Sequence, residues 1–304
     1  MRYGLMLGAD RLAATVNDIA ALAVRAEDAG FDSLWMAHIR SLDAISALTV
    51  AATRTRRIEL GPAVTPVHPR HPMALAQQAL TANQAAAGRF TLGIGVSHKI
   101  VVEGMLGLSY ARPAAYLRDY LGALLPLLRG EIADYEGERF TLHGLQLDVV
   151  DAPPVRLLVA ALGPVMLKLA GTLSDGTHTW MVGPRTVATH IAPALDAAAR
   201  AAGRASLRII AGLPIVLTAD AAAARAAIAR DLAIYGQLPS YRAMLDREGA
   251  GGPGDIALVG DETALDAALT RLAEAGVTDF NAAIMNVEDG AFERTFEFLA
   301  ARRG

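Results

Sequence analysis

The chain predicts a single (β/α)8 TIM barrel carrying one inserted helix/hairpin segment. Three observations point there. Short aliphatic runs alternate with amphipathic stretches of helical period from end to end of the 304 residues, the spacing of parallel crossover units. Eight such pairs can be counted, and no second apolar core is left over, so residues 1–304 form one domain. The irregular, glycine- and proline-rich loops all follow the runs, where a barrel keeps its chemistry. An open doubly wound sheet is the runner-up, but no strand-turn-helix carries the full G-x-G-x-x-G that such folds use for dinucleotides.

In order, Tyr3 to Leu7 reads as a strand, and Thr15 with Asp18 three positions on opens a helix that Gly30 stops. Ser33 to Met36 is the second strand, ending in Ala37-His38, with a helix over Leu42 to Thr53. Ile58 to Val64 is the third, followed by a loop in which Pro66, Pro69 and Pro72 each fix φ and remove a donor, so neither helix nor ladder forms there. Met73 to Ala87 is its helix, and Phe90 to Ile94 the fourth strand, running into Gly93-Ile-Gly-Val-Ser-His98. The rhythm then breaks over an insertion at about 99–150: a short helix over Val101 to Leu108, a long amphipathic one over Pro113 to Leu128, and two short strands between Glu131 and Val150. It resumes with strands at Val155 to Ala160, Thr177 to Val182, Leu207 to Leu217 and Asp279 to Met285. Helices are expected over Pro164 to Gly171, Pro184 to Ala202, Ala219 to Tyr235, Thr263 to Glu274 and Ala291 to Ala301. Gly249 to Gly254 reads as a mobile glycine-rich loop.

Composition narrows the function. A formal net charge of -3 without a run of like charges offers a polyanion no footprint, so no nucleic-acid partner is expected. The absence of cysteine removes disulfides, thiolate metal sites and cysteine nucleophiles together. The longest apolar stretches, such as Ile209 to Ala219, are too short to span a bilayer, and the first ten residues meet Asp10 too early for a signal sequence. A cytoplasmic protein with no membrane partner is the expectation.

The strand ends present Leu7-Gly8, Ala37-His38, Ala63-Val64-Thr65, Gly95-Val96-Ser97-His98, Ala161-Leu162-Gly163, Met181-Val182-Gly183 and Met285-Asn286. They hold no paired carboxylates, no metal-ligand spacing and no G-x-S-x-G elbow. What remains is an apolar cleft with one well-placed imidazole, as expected where an organic cofactor brings the reactivity. Gly93 and Gly95 also read as close-packing glycines, Gly163-Pro164 as a plain helix start, and His98 as either a substrate-facing donor or a surface residue. His68 and His71 read as loop residues, His178 as structural, and Arg112, Tyr116 and Arg118 as a solvated helix face.

The stretches Ala26-Glu-Asp-Ala-Gly-Phe-Asp-Ser-Leu-Trp-Met-Ala-His38, Leu60-Gly-Pro-Ala-Val-Thr-Pro66 and Gly88-Arg-Phe-Thr-Leu-Gly-Ile-Gly95 resemble the luciferase-like monooxygenase superfamily. Leu158-Val-Ala-Ala-Leu-Gly-Pro164, Ala170-Gly171, Asp175-Gly176 and Glu274-Ala-Gly-Val-Thr-Asp-Phe280 are similar to its branch that uses the deazaflavin coenzyme F420. The resemblance implies that His38 lies beside the deazaflavin ring, although Ala37 stands where that branch usually has Asp. It implies a bulge behind the ring at Ala63-Val64, often a non-prolyl cis peptide, with Thr65 facing the ring's polar edge and Gly95, Val96 and Ser97 touching ring and ribityl chain. Backbone N–H groups of Ala161, Leu162 and Gly163 would meet the coenzyme's phosphodiester at a helix start, with Trp180 and Met181 lining the same groove. Where the branch's sugar-phosphate dehydrogenase has a catalytic glutamate, this chain has His98-Lys99, so a sugar phosphate is not the expected substrate.

The reading is therefore an F420-dependent oxidoreductase. It would transfer a hydride between deazaflavin C5 and a C=C, C=N or C=O carbon of a small, largely apolar substrate, with His38 or His98 moving the proton. The insertion and the loop near Gly251 would cover the pocket. An FMN-dependent two-component monooxygenase and a non-catalytic flavin-binding protein are the alternatives. A homodimer, common in the family, could form through the helices over Leu42 to Thr53 and Met73 to Ala87.

Overall fold

The computed structural model describes residues 1–8, 15–205 and 207–302. Its strands, in chain order, are β1 (Arg2–Leu7), β2 (Ser33–Met36), β3 (Glu59–Pro62), β4 (Thr65–Pro66), β5 (Thr91–Gly95), β6 (Ala133–Glu136), β7 (Thr141–Leu145), β8 (Arg156–Val159), β9 (Gly176–Trp180), β10 (Arg208–Leu217), β11 (Leu258–Gly260) and β12 (Asp279–Ile284). The large sheet runs β3-β2-β1-β12-β10-β9-β8-β5-β4, parallel throughout. A bridge between Leu60 and Phe90 closes it into a ring. Since β3 and β4 are two halves of one strand, broken at Ala63-Val64, the ring is the expected eight-stranded barrel. The peptide between those two residues is cis.

The helices are α1 (Val16–Asp28), α2 (Ala44–Ala52), α3 (Pro72–Ala85), α4 (Lys99–Val102), α5 (Pro113–Leu128), α6 (Pro164–Leu173), α7 (Pro184–Thr186), α8 (Ala192–Ala201), α9 (Ala221–Asp231), α10 (Pro239–Glu248), α11 (Pro253–Ile256), α12 (Glu262–Glu274) and α13 (Ala291–Ala300). The capping box expected at Thr15 is complete: its hydroxyl accepts from the Asp18 N–H, and the Asp18 carboxylate accepts from the Thr15 N–H. The insertion folds as expected into α5 and an antiparallel β6-β7 hairpin, which Tyr135 ties to α5 by donating its hydroxyl to Asp119. The apolar sides of α2 and α3, among them Ala47, Leu48, Leu75 and Ala79, are buried within this chain.

Several expectations need correction. The helix expected over Val101 to Leu108 ends at Val102, and Met105, Leu106 and Leu108 follow as exposed apolar side chains. The helix expected from Pro184 to Ala202 is interrupted by a π-helical turn at Val187–Ile191. That from Ala219 stops at Asp231, and a 3-10 turn carries Tyr235. Helix α10 and the three-residue β11, which extends the sheet beside the end of β10, were not foreseen: α10 starts behind Leu238 without a polar cap, and three residues carry no readable period. The loop expected to be mobile near Gly251 is pinned, because Asp255 accepts from the Gly251 and Gly252 N–H groups and Arg242 donates to the carbonyls of Ala250 and Gly251.

Inside the barrel the side chains form layers. At the end formed by the strand N-termini, Arg208 donates to both Glu59 oxygens (2.7 and 3.1 Å) and to Asp279 (2.6 and 3.3 Å). Arg2 reaches the same two carboxylates, and Thr91 donates to Glu59. Above them Trp35, Leu158 and Ile210 pack together, with Ala63 resting on them, and Trp35 donates its indole N–H to Ser33 at 2.9 Å. His178 stands edge-on to Trp35 and pairs through Nε2 with the Asn281 side-chain amide; burial drops its pKa to about 3, so it is neutral.

The Arg208 and Arg2 guanidiniums hold the buried Glu59 carboxyl at about 2 against an ordinary 4.5. A depressed carboxyl contributes stability that is fully present above the unfolded value and is lost as pH falls through the folded one. Glu59→Gln should therefore cost about 3–5 kcal/mol at neutral pH, the usual penalty for orphaning a buried partner. It should also flatten the loss of thermal stability that the unmodified protein shows between about pH 4.5 and 2. Calorimetry across that range checks both.

Candidate active site

The break in the third strand builds the floor of the barrel mouth. At Ala63-Val64 the backbone steps inward and lays Val64 across β5. A Cβ on Gly93 would fall inside contact distance of the Pro62 carbonyl oxygen, and one on Gly95 would come within 2.9 Å of a Val64 methyl and 3.2 Å of Ala160. The two glycines thus act as close-packing residues, letting the bulge sit flat. Past β5 the chain turns through Ser97, which holds φ +61° while its carbonyl accepts the Tyr110 hydroxyl at 2.9 Å. That bond ties the insertion to the rim.

His38 sits beside this floor in a closed network. Thr65 Oγ1 lies 3.3 Å from Nδ1, and Arg70 Nη2 lies 2.9 Å from Nε2 and 2.9 Å from an Asp43 oxygen. Asp43 also caps α2 by accepting from the Ser46 N–H. Nε2 also lies 3.3 Å from an Asp43 oxygen, so it faces both the guanidinium and its counter-ion while Nδ1 is engaged by Thr65. Burial, joined by the Arg70 charge, lowers the imidazole pKa below its ordinary value, and Asp43 opposes the shift. Thr65 itself is fully buried. Its hydroxyl is engaged by His38.

After β8, α6 starts at Gly163-Pro164 with no side-chain cap, and a Cβ on Gly163 would meet nothing within 4 Å although its φ of -83° suits any residue. The first-turn N–H groups of Val165 and Met166 are the orphan donors of that terminus. Of the three N–H groups expected there, that of Ala161 donates instead to the Thr177 hydroxyl at 3.3 Å, and the Leu162 carbonyl is held by His190 Nε2 at 2.7 Å. A second Gly-Pro helix start, Gly183-Pro184, is filled by this chain's own Glu248, whose carboxylate accepts from the Arg185 and Thr186 N–H groups. Met181, buried with φ +59°, stands behind the rim, while Trp180 reaches it.

The mouth is roofed by residues the sequence reading missed. From Trp180 a chain of ring contacts runs through Tyr235 (5.8 Å) and Tyr241 (5.3 Å) to His98 (5.3 Å), linking the ends of β9 and β5 through the 3-10 turn and α10. The loop near Gly251 is bonded to the same helix through Arg242, next to Tyr241. On the insertion side, His68 is a loop residue as expected but is stacked between Tyr110 and Tyr116 at 5.5 and 4.4 Å, so Tyr116 does not lie on the solvated helix face expected. His71 caps α3 and meets Phe140 edge-on, Arg112 pairs with Glu138, and Arg118 is exposed. Ile39, Ile100, Met105, Leu106, Val165 and Ile234, on segments that follow strand C-termini, are exposed. A cavity of about 370 Å³ between α9 and α12 is lined by Arg225, Glu248 and Arg271 and by none of these imidazoles. Among the described residues no group of three or more His, Cys, Asp or Glu could hold a metal ion, and no helix is long and apolar enough to cross a membrane.

A family model described as luciferase-like monooxygenase matches residues 1–290. Over 251 residues, 77% of this chain and 72% of the relative, the chain is 32% identical to a Mycobacterium tuberculosis protein provisionally named a coenzyme F420-dependent oxidoreductase. It is 35% identical over 152 residues to the 5,10-methylenetetrahydromethanopterin reductase of Archaeoglobus fulgidus, a match spanning 50% of this chain and 45% of that enzyme. In fold it is similar to the coenzyme F420-dependent tetrahydromethanopterin reductase of Methanopyrus kandleri, with TM-score 0.83 and 22% identity over 98% of this chain and 97% of the other. It is also similar to the FMN-bound oxygenating constituent of a Pseudomonas putida 3,6-diketocamphane monooxygenase, with TM-score 0.78 and 18% identity over 99% and 97%.

The His38 network makes a signed prediction. Arg70→Gln removes a repelling charge and should raise the His38 pKa, whereas Asp43→Asn removes an attracting one and should lower it. NMR titration of the imidazole reads both, and shifts in the opposite sense would show that the network is wired differently.

Proposed function

The chain belongs to the luciferase-like monooxygenase family, and on that premise we propose that it is a coenzyme F420-dependent oxidoreductase acting on a small, largely apolar organic substrate. The observation that carries the reading is the open helix start at Gly163, which follows β8, the strand paired with β5 of the apolar floor. Neither the backbone angle nor any neighbour requires glycine there, and no side chain of this protein caps the terminus. A phosphodiester fits such a site, where orphan N–H groups and the helix dipole favour negative charge. The M. tuberculosis relative's name supports the same coenzyme.

When bound, the reduced deazaflavin supplies a hydride at C5 for a C=C, C=N or C=O carbon, or takes one back in the reverse direction. The protein's part is positional. Val64 and Ala63, backed by Gly93 and Gly95, form a flat apolar surface for the ring, with Val96 and Ser97 at its edge. Val165 and Met166 N–H groups, steadied through Leu162 by His190, hold the phosphate. His38 has both nitrogens engaged and serves as a fixed neutral wall. The ring nitrogens of His98 have no hydrogen-bond partner among the described residues, which leaves this imidazole free to hold a proton beside the substrate. The roof of Tyr235 and Tyr241 excludes water.

Fluorescence titration of the purified protein with F420 and, separately, with FMN tests this. Tight binding of F420 over FMN is expected, and Gly163→Leu should weaken it at least about tenfold, or ~1.4 kcal/mol, while leaving the melting temperature unchanged because its Cβ points into open space. Preference for FMN would make the protein a two-component monooxygenase. Binding of neither would overturn the reading, and tight binding without turnover of any unsaturated compound would make it a carrier. The proposal includes a homodimer joined through the outward faces of α2 and α3, where Gln77, Gln78 and Thr81 are exposed; sedimentation velocity giving a monomer at micromolar concentration would remove that part.

A further inference from the structure

We propose that Tyr241, together with His98, forms a two-donor site that binds the oxygen or nitrogen of a neutral substrate by hydrogen bonds beneath the roof. The inference deepens the function proposed above and rests on it for the presence of a reactive ring below.

Tyr241 lies in α10, which comes from the segment after β10, while His98 follows β5; the fold alone brings them together, with ring centroids 5.3 Å apart and planes at 52°. Three other polar rings near the mouth are engaged. His38 has partners on both nitrogens, Tyr110 donates to the Ser97 carbonyl, and His190 to the Leu162 carbonyl. Among the described residues, neither the Tyr241 hydroxyl nor a His98 ring nitrogen has a hydrogen-bond partner. Burial raises the phenol's pKa and lowers the imidazole's, so both groups are neutral and each carries one N–H or O–H to give. Two neutral donors suit a neutral acceptor such as a ketone, an enone or an imine. The cations next to them in the chain are taken, Lys99 by Glu103 and Arg242 by Asp246. Both residues are half-buried, so their donors remain open to the carbonyl of a substrate.

The probe is cyclohex-2-enone labelled with 13C at the carbonyl, titrated into the purified protein with cyclohexene as the carbonyl-free control. Saturable binding is expected, with the bound carbonyl resonance moved downfield as for a doubly hydrogen-bonded ketone. Tyr241→Phe keeps the ring packing and should weaken the probe at least tenfold and return the resonance toward its free position. His98→Asn, which keeps a side-chain N–H donor, should retain part of the shift, and His98→Ala should not. Absence of saturable binding, or a Tyr241→Phe protein with the same affinity and resonance as the parent, would overturn the proposal. F420 titration of Tyr241→Phe separates the two readings: coenzyme affinity within twofold of the parent is expected, and a protein that binds the enone but not F420 would sink the cofactor reading alone.

Discussion

The mouth of the barrel depends on a charge cluster at the opposite end. Arg208 grips Glu59 and Asp279 with four hydrogen bonds, and those residues begin three different barrel strands, with Arg2 and Thr91 adding a fourth and a fifth. A closed parallel ring must fill its interior, and here one end is filled with ions whose geometry is fixed by a planar guanidinium. Breaking any member would leave an uncompensated buried charge, so the strands share one register at that end. The other end is then free to depart from regular pairing. The step between β3 and β4 uses that freedom, and a ring held less firmly would have nothing against which to set it.

The departure is tightly local. Val64 lies over β5 only because Gly93 and Gly95 have no side chains, and the step rests on the layer of Trp35, Leu158 and Ile210 through Ala63. Polar groups around the floor are neutral by construction: His38 is buried between a cation and its counter-ion, and His98 is simply desolvated. The two helix starts at the rim show the same economy of charge. One is neutralised from within by Glu248, the other is left bare at Gly163. Such a mouth offers negative charge a landing place at Gly163 beside an apolar floor, which is why a cofactor with an anionic tail and an uncharged substrate fit it together.

The parts of this arrangement that are local in sequence were legible in it. Alternation of aliphatic runs and amphipathic stretches gave all eight barrel strands, and the capping box at Thr15 and the hairpin after α5 rest on contacts within a few residues. The proline loop, expected to exclude ladder and helix alike, still pairs Pro66 with Gly95 at the edge of the step, and Pro72, whose missing N–H costs nothing at a helix start, opens α3. What could not be read depends on tertiary partners. The bond between the Thr65 hydroxyl and His38 and the stacking of His68 between Tyr110 and Tyr116 both join residues far apart in the chain. Asp43 reads as part of the helix over Leu42 to Thr53 and Arg70 as a loop residue, 27 positions apart, and nothing local joins them. Helix α10 is short and mostly polar, and nothing local marks Tyr241 as the neighbour of a residue more than a hundred positions away.

The division between floor and roof has a consequence for what the fold can say about chemistry. The same barrel, at TM-scores of 0.83 and 0.78, underlies a coenzyme F420-dependent reductase and an FMN-bound monooxygenase. The fold therefore supplies a stepped floor and a helix start, and discrimination must come from the rim. In this chain the floor is built from near-neighbour strands β3, β4 and β5, whereas the roof comes from the segment between β10 and β12, which the barrel itself does not need. A change in the roof can alter which molecule is held without disturbing the register fixed by Arg208. A change in the floor cannot, because each glycine there is in contact with the bulge. Substrate choice is thus the more freely variable property of this architecture, and ring placement the more constrained one.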